Sequence, residues 1–228
     1  MKMINVEKQI FQNKLKNILL EQNKNYDDFI YSKKSGFYQG FDEIGIEGSR
    51  PTEQRFKTYN IEKYLDKNKN ALDIGSNCGF FTTYVGNYLK SILGVEINSY
   101  LTKIGFETAK FLKKDNIFFE NTRFEDFQSN TKFDIIFSLA NDSTIDGNTE
   151  FSFFEYIDKI FDLMNTNGYL IFESQAIDMI LKKKFIIKKE YLQKKFNIIE
   201  NRIIPSTYPI TVKERHLLIL QKSENSFN

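Results

Sequence analysis

The chain has 228 residues with 32 lysine or arginine and 30 aspartate or glutamate side chains, so its formal net charge is only +2. This small charge gives no electrostatic reason to expect a nucleic acid or an anionic membrane as partner. One cysteine excludes a disulfide within the chain and favours a reducing compartment, and no apolar run is long enough to cross a bilayer, so we predict a cytoplasmic protein. The length fits one α/β domain with an appendage.

The first 58 residues are predicted to form a cap on the domain that follows. Apolar residues at helical spacing over 5–22 predict an amphipathic helix, which either packs on the main domain or covers a cleft as a lid. From residue 26 to residue 48, aromatic residues alternate with glycines, a composition typical of loops and short strands with large side chains.

A second helix is predicted over 52–64, because Pro51 stands just before its first turn. Arg50 and Arg55 flank the start of this helix. Together they could clamp an anionic group of a substrate or cofactor, although two solvated surface arginines would give the same pattern.

Residues 71–83 are the centre of the sequence and predict a short buried strand, a turn bracketed by Gly75 and Gly79, and the start of a helix that continues to residue 89. A second short apolar run over 91–95 ends at Glu96. An acid at the tip of the second strand can accept hydrogen bonds from both hydroxyls of a ribose. The pair of signals predicts a site for a cofactor that contains adenosine.

The choice of cofactor depends on Asp73, two residues before Gly75. An acid there is poorly placed for the pyrophosphate of a dinucleotide, which disfavours an NAD-dependent oxidoreductase, and it suits a cation such as the ammonium group of S-adenosylmethionine. The stretch resembles motif I of the class I S-adenosylmethionine-dependent methyltransferases, [DE]-x-G-x-G-x-G, with departures at Asn77 and Cys78. A plain strand–helix turn with a chance acid downstream is the alternative.

The remaining elements agree with that family's fold. The last two strands follow each other without a helix between them, which predicts an antiparallel hairpin, whereas a dehydrogenase would continue with βα units. We therefore predict a single Rossmann-like methyltransferase domain over 59–222, with a mostly parallel seven-stranded sheet whose last strand is antiparallel, and a flexible tail over 223–228. Further helices are predicted over 98–113, 150–164 and 182–195, and further strands over 116–119, 133–138, 168–173, 196–204 and 215–221.

The resemblance implies S-adenosylmethionine as cofactor and a set of residues that hold it. By resemblance, Glu125 or Asp126 accepts a hydrogen bond from the adenine amino group. The full cofactor set is Asp73, Gly75, Ser76, Asn77, Gly79, Phe80, Glu96, Ile97, Glu125, Asp126 and Ser138.

The loop after the strand over 133–138 resembles methyltransferase motif IV, which shapes the acceptor pocket, but it lacks the Asn-Pro-Pro-Tyr run of amino methyltransferases. Asp142 is the first candidate for a catalytic base, with Asn141 as its orienting partner. No metal is predicted, although a hard-cation site of Asp142, Asp146 and Glu173 is conceivable. The residues expected to contact the substrate are Tyr38, Arg50, Arg55, Glu173 and His216, the last of which could equally be a structural histidine.

These observations predict an enzyme that moves a methyl group to an oxygen of a small polar acceptor, one that can carry a negative charge. A sugar or phosphoramidate of a bacterial surface glycan or capsule fits that description by family resemblance. A methyltransferase that modifies RNA or protein, and a protein that binds S-adenosylmethionine without catalysis, are the alternatives. The sequence leaves the oligomeric state open.

Overall fold

The computed structural model describes residues 2–25, 36–143, 149–209 and 211–223. Its α-helices are α1 (Lys2–Asn25), α2 (Thr52–Tyr59), α3 (Phe80–Val85), α4 (Ser99–Phe111), α5 (Phe153–Leu163), α6 (Ala176–Ile180) and α7 (Lys182–Lys195). Its strands are β1 (Phe37–Gly40), β2 (Gly48–Pro51), β3 (Asn70–Ile74), β4 (Ser91–Glu96), β5 (Ile117–Asn121), β6 (Phe133–Leu139), β7 (Met164–Glu173), β8 (Phe196–Pro205) and β9 (Glu214–Lys222).

Seven strands form one sheet in the order β5-β4-β3-β6-β7-β9-β8. The first five are parallel, and β9 lies antiparallel between β7 and β8. This arrangement confirms the predicted fold, including the terminal hairpin. The strand order reverses at β3, and in open α/β sheets ligands bind beyond the carboxyl ends of the strands at such a reversal.

The central strands β3 and β6 are buried on both faces, which explains why they are nearly continuous apolar runs. Successive residues of β6 point to opposite faces, so Ile136 packs with α5 and α7 while Ile135 and Phe137 pack on the side of α3. No helix among the described residues is long and apolar enough to span a bilayer.

Local capping explains where the helices differ from their predicted bounds. The helix predicted over 52–64 ends at Tyr59, because Asn60 adopts a left-handed backbone with φ of 46° and its N–H donates to the Phe56 carbonyl. A 3₁₀ turn then covers Glu62–Tyr64. The helix predicted from residue 150 begins at residue 153, because Ser152 forms a capping box with Glu155.

Two other segments also differ from the secondary structure predicted for them. The helix predicted over 80–89 becomes a 3₁₀ turn at Gly86–Tyr88. Between the helix predicted over 150–164 and the strand predicted over 168–173, the chain is already part of β7, where the pairing with β6 shifts register and Asn167 adopts a φ of 63°. The helix α6 was not predicted.

The N-terminal segment packs directly on the main domain. The stacked rings of Phe11 and Phe111, with centroids 4.0 Å apart, join α1 to the end of α4. Strands β1 and β2 pair in parallel, and Gly40 and Gly48 permit this approach because a Cβ on either would overlap the other strand's backbone. The division into a cap over 1–58, a domain over 59–222 and a flexible tail stays a prediction.

Candidate active site

The turn between β3 and α3 has the backbone that its sequence predicts. Gly75 and Gly79 adopt φ of 62° and 67°, and Asn77 adopts 54°. The Ser76 N–H donates to the Val95 carbonyl at 3.0 Å, which ties the turn to the end of β4. A Cβ on Gly75 would lie 3.1 Å from the Asn141 side chain, so the glycine lets the loop after β6 approach bare backbone.

Gly79 has a packing role as well. A Cβ there would overlap the ring of Phe119, and the same ring lies 2.8 Å from the Cβ positions of Gly94 and Gly105. The Phe119 ring thus lies against three glycines from α3, β4 and α4. This contact brings the start of α3 close to α4 and to the first strands of the sheet.

Glu96 is fixed at the tip of β4 by two backbone donors. Its Oε2 accepts from the Asn77 N–H and its Oε1 from the Asn98 N–H, both at 2.9 Å, and the residue is 6% exposed. Each carboxylate oxygen can accept a second hydrogen bond. The two backbone donors therefore hold the acid in one orientation at the tip of β4.

Gln39 is a site residue that sequence reasoning missed. Its Nε2 donates to the Ser76 carbonyl at 3.1 Å, and its Oε1 accepts from the Phe80 N–H at 2.9 Å. A buried amide from β1 thus fixes both sides of the glycine turn. The aromatic and glycine-rich composition of this segment signalled a packed structure but not this contact.

These elements enclose a cleft with about 1000 Å³ of empty space at the carboxyl ends of β3, β4 and β6. This volume includes the part of the cleft that is open to solvent. The predicted residues in its lining are Tyr38, Arg55, Asp73, Gly75, Asn77, Glu96, Ile97, Glu125 and Asn141. The lining residues that were not predicted include Gln39, Phe81, Thr122, Arg123, Phe124, Thr149 and Tyr156.

Other residues predicted to bind the cofactor do not line the cleft. Ser76 and Phe80 are buried next to the turn, and Asp126 is exposed outside the lining. Ser138 is buried and its hydroxyl lies 2.9 Å from that of Tyr156, which does line the cleft. Ser138 thus lies behind Tyr156 and does not line the cleft itself.

Two acids in the lining already have protein partners. Burial raises the pKa of Asp73 to about 6, although its Oδ2 accepts a hydrogen bond from the Thr82 hydroxyl at 2.5 Å. The Glu125 carboxylate accepts from the Glu150 N–H at 2.9 Å. Its neighbours Arg123 and Phe124 line the same cleft.

Asp142 follows the cleft residue Asn141 but does not line the cleft itself. It is 2% exposed, and its Oδ2 accepts from the ammonium group of Lys188, which also bridges Asp178. Burial raises the pKa of Asp142 to about 6 even though Lys188 opposes this shift. Asp146, the third member of the conceivable cation site, lies outside the described residues.

The predicted arginines meet Glu173 below the cleft. Arg50 pairs with Glu173 at 2.6 Å, and the Tyr59 hydroxyl donates to the other carboxylate oxygen at 2.6 Å. Arg55 lies 3.8 Å from the same carboxylate. Burial alone would raise the pKa of Glu173, but the guanidinium groups outweigh burial and lower it to about 2. Arg55 lines the cleft, whereas Arg50 and Glu173 do not.

His216 is separate from this group. Its ring stacks on Phe185 with centroids 3.8 Å apart, and its backbone N–H donates to the Ser174 hydroxyl. Burial lowers its pKa. The cleft lining does not include it, which favours the structural alternative.

A family model described as a methyltransferase domain matches residues 65–220, well over half of the chain. The chain belongs to this methyltransferase family. S-adenosylmethionine is its methyl donor, and the chain is a methyltransferase. No curated protein matches it by sequence.

Solved structures of other methyltransferases share the fold. The N-methyltransferase NodS from Bradyrhizobium japonicum WM9, in complex with S-adenosyl-L-homocysteine, is 16% identical with a TM-score of 0.61 over 75% of this chain and 87% of that one. An rRNA methylase from Streptococcus thermophilus is 15% identical, with a TM-score of 0.54 over 77% and 98%. The precorrin-6y C5,15-methyltransferase from Geobacter metallireducens GS-15 is 16% identical, with a TM-score of 0.55 over 75% and 88%.

The residues of the cleft fit S-adenosylmethionine. The left-handed Gly75 leaves bare backbone beside the cleft, and the acids Glu96 and Asp73 line the same space. Phe124 and Glu125 also belong to this lining. The three signals read from the sequence therefore converge on one cleft.

Proposed function

We propose that the protein transfers the methyl group to an oxygen of a small polar acceptor that enters the cleft beside Tyr38 and Asn141. The observation that carries this proposal is the continuity of the cleft. The lining of one cleft includes both the cofactor residues Gly75 and Glu96 and the polar residues Tyr38 and Asn141.

The bound cofactor supplies a methyl group that its sulfonium already activates, so the chain must orient the acceptor and accept its proton. The Asn141 amide donates to the Ile74 carbonyl, which fixes the side chain against Gly75. Its amide oxygen can then accept from an acceptor hydroxyl. Tyr38 is held edge-on against Tyr208, with ring centroids 5.3 Å apart, and would exclude water from the other side.

Asp142 remains our proposed base. Its Oδ1 is buried and has no hydrogen-bond partner in the structure, and a pKa of about 6 suits a base near neutral pH. Its position behind the lining is the strongest argument against this role. An acceptor hydroxyl would have to reach past Asn141 to meet it.

A methylation assay with the purified chain tests the proposal. The acceptors are neutral sugars, sugar phosphates, uronic acids and a bulk RNA sample, and mass spectrometry locates the added methyl. We expect a product with a small acceptor, and Asp142→Asn should bind S-adenosylhomocysteine normally while losing about 10²–10⁴-fold in rate. Normal turnover by Asp142→Asn would remove Asp142 as base, and methylation of RNA alone would refute the small acceptor.

The finer parts of the proposal are the identity of the acceptor and the cellular location of the protein. A surface-glycan or capsule sugar is supported only by the family resemblance, and the structural relatives include enzymes named for RNA and for small molecules. The cytoplasmic location and the lack of a nucleic-acid partner stay predictions.

A further inference from the structure

A second cavity of about 380 Å³ lies on the other side of Arg55 from the cleft, between α2 and the loop that follows β8. Its lining contains hydrogen-bond donors and, among the described residues, no carboxylate. The donors that matter are Arg50, Gln54, Arg55, Thr58, Ser206 and Thr207. The Ser206 and Thr207 hydroxyls already donate to backbone carbonyls, which leaves the two guanidinium groups, the Gln54 amide and the Thr58 hydroxyl.

The charges beside this cavity do not balance. Three buried guanidinium groups, those of Arg50, Arg55 and Arg215, surround the carboxylate of Glu173. The next acid, Asp73, acts on Arg55 only through space. These three guanidinium groups thus face two carboxylates, those of Glu173 and Asp73.

The guanidinium groups also have more N–H donors than the surrounding residues have acceptors. The Nε atoms of Arg50 and Arg215 are buried and have no partner in the structure. Arg50 uses Nη2 for Glu173 and Tyr59, and Arg215 uses its two terminal nitrogens for backbone carbonyls. A buried N–H donor that lacks an acceptor is costly, and the Arg50 guanidinium lines the cavity, so an anion bound there would relieve part of this cost.

We infer that this second cavity binds a phosphate or carboxylate group of the methyl acceptor. Arg55 lines both spaces, so an anion held there lies next to the cleft in which the methyl group is transferred. Anion binding follows from the cavity alone, whereas its assignment to the acceptor depends on the proposed function. The inference selects sugar phosphates and uronic acids as the first acceptors to test.

A charge placed at the mouth of the cavity tests the inference without disturbing the buried arginines. Thr58 is half-buried and lies three residues after Arg55 on the same face of α2. Thr58→Glu should occupy the site with its own carboxylate, and Thr58→Gln is the uncharged control of similar size. An acid near a helix C-terminus is normally unfavourable, so a higher melting temperature for Thr58→Glu than for Thr58→Gln would come from the cavity.

Inorganic phosphate is the probe, compared with chloride at equal ionic strength in calorimetric and melting experiments. We expect phosphate to bind and stabilise the wild type and Thr58→Gln. Its affinity for Thr58→Glu should be lower by about tenfold or more, which is the loss expected for one repelled charge pair. Gln54→Glu, at the other edge, repeats the test if Thr58→Glu does not fold. Absence of phosphate binding by the wild type, or equal binding by the charged variants, would overturn the site.

Titration with S-adenosylhomocysteine separates the two sources of the anion. If the acceptor supplies it, Thr58→Glu keeps its affinity for S-adenosylhomocysteine while losing phosphate. If the affinity for S-adenosylhomocysteine falls with that for phosphate, the cavity holds the carboxylate of the cofactor and the assignment to the acceptor is wrong. Wild type that binds phosphate but no S-adenosylhomocysteine would contradict the proposed function and leave the anion site standing.

Discussion

Glu96→Ala should weaken binding of S-adenosylhomocysteine by roughly ten- to a hundredfold. The wild-type carboxylate is held by the N–H groups of Asn77 and Asn98, each at 2.9 Å, so its orientation exists before the ligand arrives. Hydrogen bonds from ribose hydroxyls to a charged acceptor contribute about 1.5–3 kcal/mol, which corresponds to that loss of affinity. Isothermal titration calorimetry measures it directly, with NAD as the control ligand.

The same substitution also leaves two backbone donors without their partner, so the stability of the fold must be measured separately. Glu120→Ala is a matched control, because Glu120 is an exposed acid on the neighbouring strand β5. We expect this control to bind S-adenosylhomocysteine as the wild type does. A folded Glu96→Ala that binds with unchanged affinity would refute the ribose assignment and the cofactor orientation that depends on it.

Three further predictions concern the surroundings of the cleft. Gln39→Leu leaves the buried Phe80 N–H without an acceptor and removes one of the two hydrogen bonds to the Ser76 carbonyl, which keeps the Gly79 N–H. It should therefore cost about 2 kcal/mol in urea unfolding and weaken S-adenosylhomocysteine binding; unchanged values would mean that the turn holds its shape alone. Gly105→Ala would stabilise an ordinary helix, but here the new Cβ would lie 2.8 Å from the Phe119 ring. The free energy of unfolding, measured by thermal denaturation, should therefore fall by about 1–3 kcal/mol. The pKa of Glu173 falls from 4.5 to about 2 on folding. Its ionisation should therefore contribute of the order of 3 kcal/mol to the free energy of unfolding above pH 4.5, and this contribution should be lost as the pH falls towards 2. Urea unfolding between pH 5.5 and 3 should show a flatter pH dependence for Glu173→Gln, and an equal slope would contradict the paired state of this carboxylate.

The cofactor half of the cleft could be predicted because its signals are local. Asp73 and Gly75 are separated by one residue, and Glu96 ends the next strand of the same βαβ unit. The order of strands in such units follows from right-handed crossovers and short connections, so the tips of β3 and β4 must be neighbours. The confirmed fold and cofactor are consequences of this short-range pattern.

The acceptor half could not be predicted in the same way, because its contacts join distant residues. Lys188 meets Asp142 across 46 positions, and Arg50 meets Glu173 across 123. Nothing in the local sequence of Asp142 shows that a lysine from α7 will neutralise it. The lysine-rich composition of α7 is typical of a solvated face, and only the packing of this helix on the sheet shows that Lys188 turns inward.

The contacts of the N-terminal segment also decide between the two roles considered for it. Residues of α1 pack on α4, away from the cleft, and none of those that the structure describes lines it. The part that does border the cleft is joined to the sheet by Gln39 at the glycine turn and by Arg50 at the end of β7. Opening this wall would break a buried ion pair and two buried hydrogen bonds, which costs several kcal/mol. The described part of the segment from β1 to α2 is therefore a fixed wall of the cleft, and the contacts of α1 favour packing on the domain over the role of a lid.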